Sequence, residues 1–192
     1  MKKSNLIVDF FKEITIVVIG VLIAVSIGNY KEKLDNEKYL KKTLLAIKSE
    51  IISSQREIDT VLERHLKLYE KLENGFVENE QTIGEFVSNS GGFQVASVKN
   101  ISLRFFVSNK AELLEFELIS QLLDIELKTT LLTNKMERFA DFAYENVNEN
   151  DEQVMMKFAY LLVDVIDGEQ TLLESYSDLL DENKKYLSSR IK

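Results

Sequence analysis

Between Glu13 and Asn29 stand fifteen consecutive residues without a charge, ITIVVIGVLIAVSIG. As a helix this run spans roughly 22 Å at about 1.5 Å per residue. A bilayer core of about 30 Å asks for nearer 20 residues, and the flanks supply them. Phe10 and Phe11 extend the apolar surface on one side, Tyr30 marks the other interface, and Lys12 and Lys31 can reach outward with their charges. The expectation is one transmembrane helix over about residues 10 to 30, with the lipid bilayer as its partner, so that residues 1–30 form an N-terminal tail and membrane helix. A cleaved secretory leader is the first rival, since Lys2, Lys3 and Ala24-Val25-Ser26 imitate its basic start and small-residue exit, but Asp9 and Glu13 do not belong in one. A soluble core helix is the second, but β-branched residues on every side leave no polar face for water.

Within the run Gly20, Ala24 and Gly28 recur at intervals of four, a smooth stripe on which another helix backbone could approach closely, and Glu13 lies on the same face. These four residues are the candidate site for association within the membrane; the alternative is that small residues are common in membrane helices and Glu13 sits among headgroups. The string from Glu13 through Gly20, Ala24 and Gly28 to Asn29-Tyr30, followed by a helix rich in Lys and Glu, resembles the start of an uncharacterised family of single-pass Bacteroidota membrane proteins, a domain of unknown function. Its pattern is an acidic residue, an apolar run with a central glycine and an alanine, then Asn with an aromatic, and the similarity covers about residues 10 to 50. The resemblance implies an architecture and no activity. It also implies an N-terminus inside the cell and a periplasmic body on the inner membrane, whereas the local lysine counts, Lys2, Lys3 and Lys12 against six from Lys31 to Lys48, lean towards a cytoplasmic body.

The remainder reads as all-α. The chain has no proline and seven glycines in 192 residues, which spares helices their breakers and deprives hairpins of turn residues. From Leu40 the positions Leu44, Ile47, Ile51, Ser54, Ile58, Val61, His65, Leu68 and Leu72 alternate at spacings of four and three. Leu45, Ile52, Leu62, Leu66 and Tyr69 widen this stripe beyond a two-stranded seam, so residues 31–74 are expected to form a long amphipathic stalk helix packed in a four- to five-helix bundle completed by residues 75–192. Asn74-Gly75 ends the stalk, Thr82 to Val87 reads as a short helix, and residues 88–92 read as a loop. ISLRFFV at 101–107 fits helix or strand. Asn109 precedes a helix with Leu113, Phe116, Leu118 and Leu122 inward. Asp124 is expected to cap the next helix, to about Asn146, and Asp151 to open another to about Asp167. Gly168 then ends that helix before a last one from Glu169 to about Ser189 that carries Leu172, Tyr176, Leu179 and Tyr186. Phe105, Phe106, Phe139, Phe142, Tyr144, Phe158 and Tyr160 read as core.

Charge and inventory narrow the function. Residues 1–48 hold nine Lys and five acids, a net of +4, while the rest holds 15 basic and 27 acidic residues, a net of −12. An acidic body repels phosphate backbones, so nucleic acid is not an expected partner. Cysteine is absent, and His65 is the single histidine. A carboxylate-bridged di-metal bundle needs two Glu-x-x-His pairs, and Leu62 stands three before His65. Glu145, Glu149, Asp151 and Glu152 lack the order of a calcium loop. No serine elbow or phosphate-cradling glycine loop is present. No cofactor, metal, small-molecule substrate or catalytic residue is expected. The leading expectation is a non-enzymatic, membrane-anchored helical interaction or scaffold protein that binds a protein partner or its own copies. A membrane sensor would instead carry a polar pocket inside its body, and an accessory subunit of a larger membrane complex would turn Gly20, Ala24 and Gly28 to a foreign helix.

Overall fold

The computed structural model describes residues 3–75 and 81–184. Among them every regular element is helical: α1 (Lys3–Gly75), α2 (Ile83–Asn89), α3 (Ile101–Lys110), a short 3-10 turn (Ala111–Leu113), α4 (Phe116–Glu145) and α5 (Glu152–Glu182). The chain forms two compact units, Met1–Lys42 and Thr43–Lys192.

In the first unit α1 is one uninterrupted helix. An 18-residue window of it has a mean hydropathy of 2.3, and none of that window is buried against protein. The hydroxyls inside the run do not depend on water: Thr15 donates to the Phe11 carbonyl at 2.8 Å and Ser26 to the Leu22 carbonyl at 2.7 Å. Such internal bonds are what a helix in an apolar medium requires, because an unsatisfied polar group there costs several kcal/mol, roughly. This unit therefore contributes one helix long and apolar enough to cross a membrane.

In the second unit the four-three rhythm of α1 becomes a buried seam: every position in it from Leu44 to Leu72 is buried, including Ser54 and His65. Leu45 and Leu66, which widened the stripe on paper, stay exposed. α4 and α5 are joined by six residues and run antiparallel. Their register is visible in cross-helix pairs, Gln121 with Glu182, Lys128 with Ser175, and Lys135 with Asp164 and Asp167. Asp151 caps α5 by accepting from the amides of Gln153 and Val154, at 2.9 and 3.3 Å. Between α4, α5 and α1 the apolar crevice lined by Leu44, Ile51, Leu118, Leu122 and Leu179 holds only ≈ 10 Å³, about the least that admits one water.

Several boundaries differ from those the sequence suggests. Asp124 begins nothing: it lies inside α4 and pairs with Lys128 at 2.7 Å. Gly168 does not end a helix either, since α5 continues through it to Glu182. There it sits against α4, where a β-carbon would meet the Leu132 and Lys135 side chains at 3.1 and 3.2 Å. Both positions were misread because propensity is a weak prior that helix-helix packing overrides. The ambiguous 101–107 stretch is helical, in α3. Phe116 opens α4 at 85% exposure instead of turning inward, and Leu114 takes the buried place. Of the aromatics expected in the core, Phe106, Phe139 and Phe158 are buried, while Phe105, Tyr144 and Tyr160 face outward. Tyr186 and the end of the last helix at Ser189 lie outside the described residues.

The short helix α2 has the expected start: Thr82 accepts from the Glu85 amide at 3.2 Å, and the Glu85 carboxylate accepts from the Thr82 amide at 3.1 Å. This capping box frees the next amides, and Ile83 and Gly84 donate to the carbonyls of Glu149 and Val147 at 2.9 and 2.8 Å in the α4–α5 loop. A β-carbon on Gly84 would stand 2.6 Å from Val147 Cγ2 and 2.9 Å from its carbonyl oxygen. The backbone oxygen cannot swing aside, so Gly84→Ala is expected to lower stability by about 1–3 kcal/mol despite the better helix propensity of alanine, read as a lower midpoint in urea unfolding followed by circular dichroism.

Candidate functional site

The residues singled out for membrane association are brought onto one face by the unbroken helix. Glu13, Gly20, Ala24 and Gly28 are all exposed, and nothing lies within 4 Å of where a β-carbon would stand on Gly20 or Gly28. Their spacing places them along about 22 Å of helix. The stripe is open, and a neighbouring backbone could approach it closely.

The second candidate lies within the body and centres on His65, which the sequence marks as a packing residue. It is buried, as is Glu169 of α5, 104 positions away, and His65 Nδ1 stands 3.0 Å from Glu169 Oε2. The other ring nitrogen, Nε2, lies 2.9 Å from the Gln94 carbonyl oxygen. A carbonyl only accepts, so Nε2 carries a proton and donates it, and one further hydrogen lies between Nδ1 and the carboxyl group. The imidazole is thereby used at both ends. Its face is used as well, stacked on Phe93 with centroids 4.5 Å apart and planes within 6°. Phe93 in turn contacts Phe139 of α4, which contacts Phe158 of α5, at 4.4 and 4.8 Å between centroids.

Glu169 was legible only as the start of a helix, yet its position carries a signal. It stands in the three-four spacing of Phe158, Leu162, Val165, Ile166, Leu172, Tyr176 and Leu179, all buried. One acid in the apolar stripe of α5 matches one histidine in the apolar stripe of α1. The carboxyl's second oxygen, Oε1, has no hydrogen-bond partner among the described residues.

His65 is one of three side chains on α1 that hold the segment leading into α3. Ser54 Oγ accepts from the Lys99 amide at 2.8 Å, and the Glu50 carboxylate accepts from the Ser102 amide at 2.9 Å and from its hydroxyl at 3.0 Å. The pairs descend on α1 as they ascend on the segment, so it crosses the helix antiparallel. Distances agree: eleven helical residues from Ser54 to His65 rise about 16 Å, and five extended residues from Gln94 to Lys99 span about the same. Gly91 and Gly92, with φ of 93° and 82°, make the turn that starts this strap, a backbone conformation that side chains with a β-carbon disfavour.

No protein-family model, curated protein or solved structure matches this chain. The site is therefore judged on its own geometry. Among the described residues no three His, Asp or Glu side chains gather where they could hold a metal ion. The His65–Glu169 pair has the groups of an acid-base couple, but stacked aromatics and the strap enclose it, and both faces of the pair are occupied by protein.

Two outcomes follow. Replacing one member of a buried pair strands the other, so His65→Leu or Glu169→Leu alone is expected to cost about 3–5 kcal/mol, and the double Leu variant to cost markedly less than the two together. A double-mutant cycle on urea midpoints measures this; additive losses would show that the pair is not coupled. Near Ser54, burial holds the Tyr176 hydroxyl above its ordinary value of 10.0; the Thr129 and Ser54 hydroxyls partly oppose this and the Glu50 charge adds to it. The folded chain then keeps a proton that the unfolded chain releases, so stability must fall as pH rises from 10.0 through the folded value. Tyr176→Phe should lose less stability than the parent between about pH 9 and about pH 11.

Proposed function

We propose that this chain is a membrane-anchored helical interaction protein, held by α1 in the inner membrane and docking protein partners or further copies of itself through its body. The observation that carries the reading is the exposed apolar window of α1, with a mean hydropathy of 2.3 and its hydroxyls bonded internally. A surface of that kind is stable in lipid and costly in water. Association within the bilayer through Gly20, Ala24 and Gly28, with Glu13 near the interface, is the accompanying proposal, supported by their common open face.

Docking is favoured over catalysis because the single histidine is committed to packing at both nitrogens and one face. It is favoured over ligand sensing because the crevice between α1, α4 and α5 is apolar and nearly filled. The acidic body, at −12, fits a protein partner better than a phosphate backbone or an anionic lipid surface. For sidedness we follow the resemblance at residues 13–30, which places the body in the periplasm.

The chain lacks cysteine, so single cysteines can be placed at Ser4 and at Tyr144, which is 83% exposed, without background. A membrane-impermeant thiol reagent added to spheroplasts should label the cysteine of Tyr144→Cys and spare that of Ser4→Cys. The reverse pattern would put the body in the cytoplasm. Recovery of the chain in the soluble fraction, with the first residues removed, would overturn the anchor itself.

A further inference from the structure

α4 is apolar on two sides. One side, with Leu118, Leu122, Ile125, Leu132 and Met136, is buried in the body. On the opposite side Phe116, Leu123, Leu127 and Leu131 are exposed at 85%, 43%, 57% and 50%. Their spacings of seven, four and four keep them in one stripe along about 22 Å of helix. The stripe does not stop at α4. Arg104 of α3 bonds Glu126 through Nε at 2.7 Å, which sets residues 101–105 alongside residues 123–127, and Ile101 and Phe105 flank Arg104 on the same exposed side of α3 at 73% and 60%.

From these positions we infer that the α3–α4 face is a self-association surface, occupied by the same face of a second copy of this chain. The six side chains expose on the order of 600 Å² of apolar surface, above what a monomer usually leaves in one patch and near the about 800 Å² each partner gives to a standard interface. Charge points to a copy over a charged partner. The ions beside the stripe are paired within the chain: Arg104 with Glu126, Lys128 with Asp124, and Lys110 with Glu112. Two such faces meet without a large uncompensated charge, whereas a basic partner or an anionic lipid would find no matching excess. A two-fold axis through the stripe sets each leucine near its own counterpart, the arrangement that closes a homodimer. Anchoring to one membrane raises the effective concentration of copies and lets a surface of this size suffice.

This inference deepens the self-association reading and rests on it, and the test separates the two. Leu127→Cys in the full-length, otherwise cysteine-free chain in lipid vesicles should form disulfide-linked dimers under mild oxidation, several-fold more than Glu63→Cys on exposed α1. The Leu123→Glu, Leu127→Glu double variant should run as a monomer in detergent by light scattering while its helical circular dichroism is kept. A chain that is monomeric before any substitution sinks both readings. If the double variant stays dimeric and Gly20→Leu, Gly28→Leu dissociates, self-association stands and this surface is wrong. Cross-linking from Leu127→Cys no greater than from Glu63→Cys also overturns it.

Discussion

The body is organised around a buried hydrogen bond between two residues that could not be farther from each other's local structure. His65 and Glu169 stand 104 positions apart on α1 and α5 and meet at 3.0 Å in surroundings that water does not reach. An unpaired imidazole or carboxyl in such a place costs far more than a missing methyl group, so the two helices have one rotation and one register in which both are satisfied. A purely apolar contact between them would tolerate a slide of one turn. The pair therefore contributes to uniqueness more than to net stability, since apolar residues of similar volume in both places would hold the helices nearly as well.

The same residue fixes a third element. Nε2 reaches the Gln94 carbonyl and the ring lies flat on Phe93, so the strap after Gly91-Gly92 is tied to α1 as soon as α1 and α5 have found each other. Ser54 and Glu50 continue the tie towards α3. A segment with no regular structure needs partners for its backbone groups, and here the partners are side chains of the long helix. This explains why the α1 seam carries Ser54 and His65 among apolar residues: the two polar positions are where a non-helical chain crosses it.

How much of this was legible divides along the kind of interaction. Positions from Leu44 to Leu72 were readable because spacing alone determines which side of a helix is buried. Thr82 and Asp151 were readable because caps are local chemistry. Asp124 and Gly168 misled for the same reason in reverse: each has the composition of a boundary, but the α4–α5 pairing overrides it, with Lys128 bonding Asp124 and Gly168 leaving room for Leu132 and Lys135. Glu169 was missed as a partner because no sequence spacing relates it to His65; only the fold brings them together. On the membrane helix, Glu13, Gly20, Ala24 and Gly28 were readable as one face, and the structure adds that the face is open.

The aromatic assignments carry a different lesson. Phe105, Phe116, Tyr144 and Tyr160 sit at helical spacing and look like core, yet they face outward. Burial in a small bundle is limited by how many helices can surround one another, and the space between α1, α4 and α5 is already filled to within ≈ 10 Å³. The exposed leucines of α4 extend this surplus into a stripe, and a helix apolar on two sides has the composition of one covered on two sides. The body folds with one of those sides satisfied, and the other has the character of an interface kept for assembly, where the loss of water from Leu127 and its neighbours supplies the driving force.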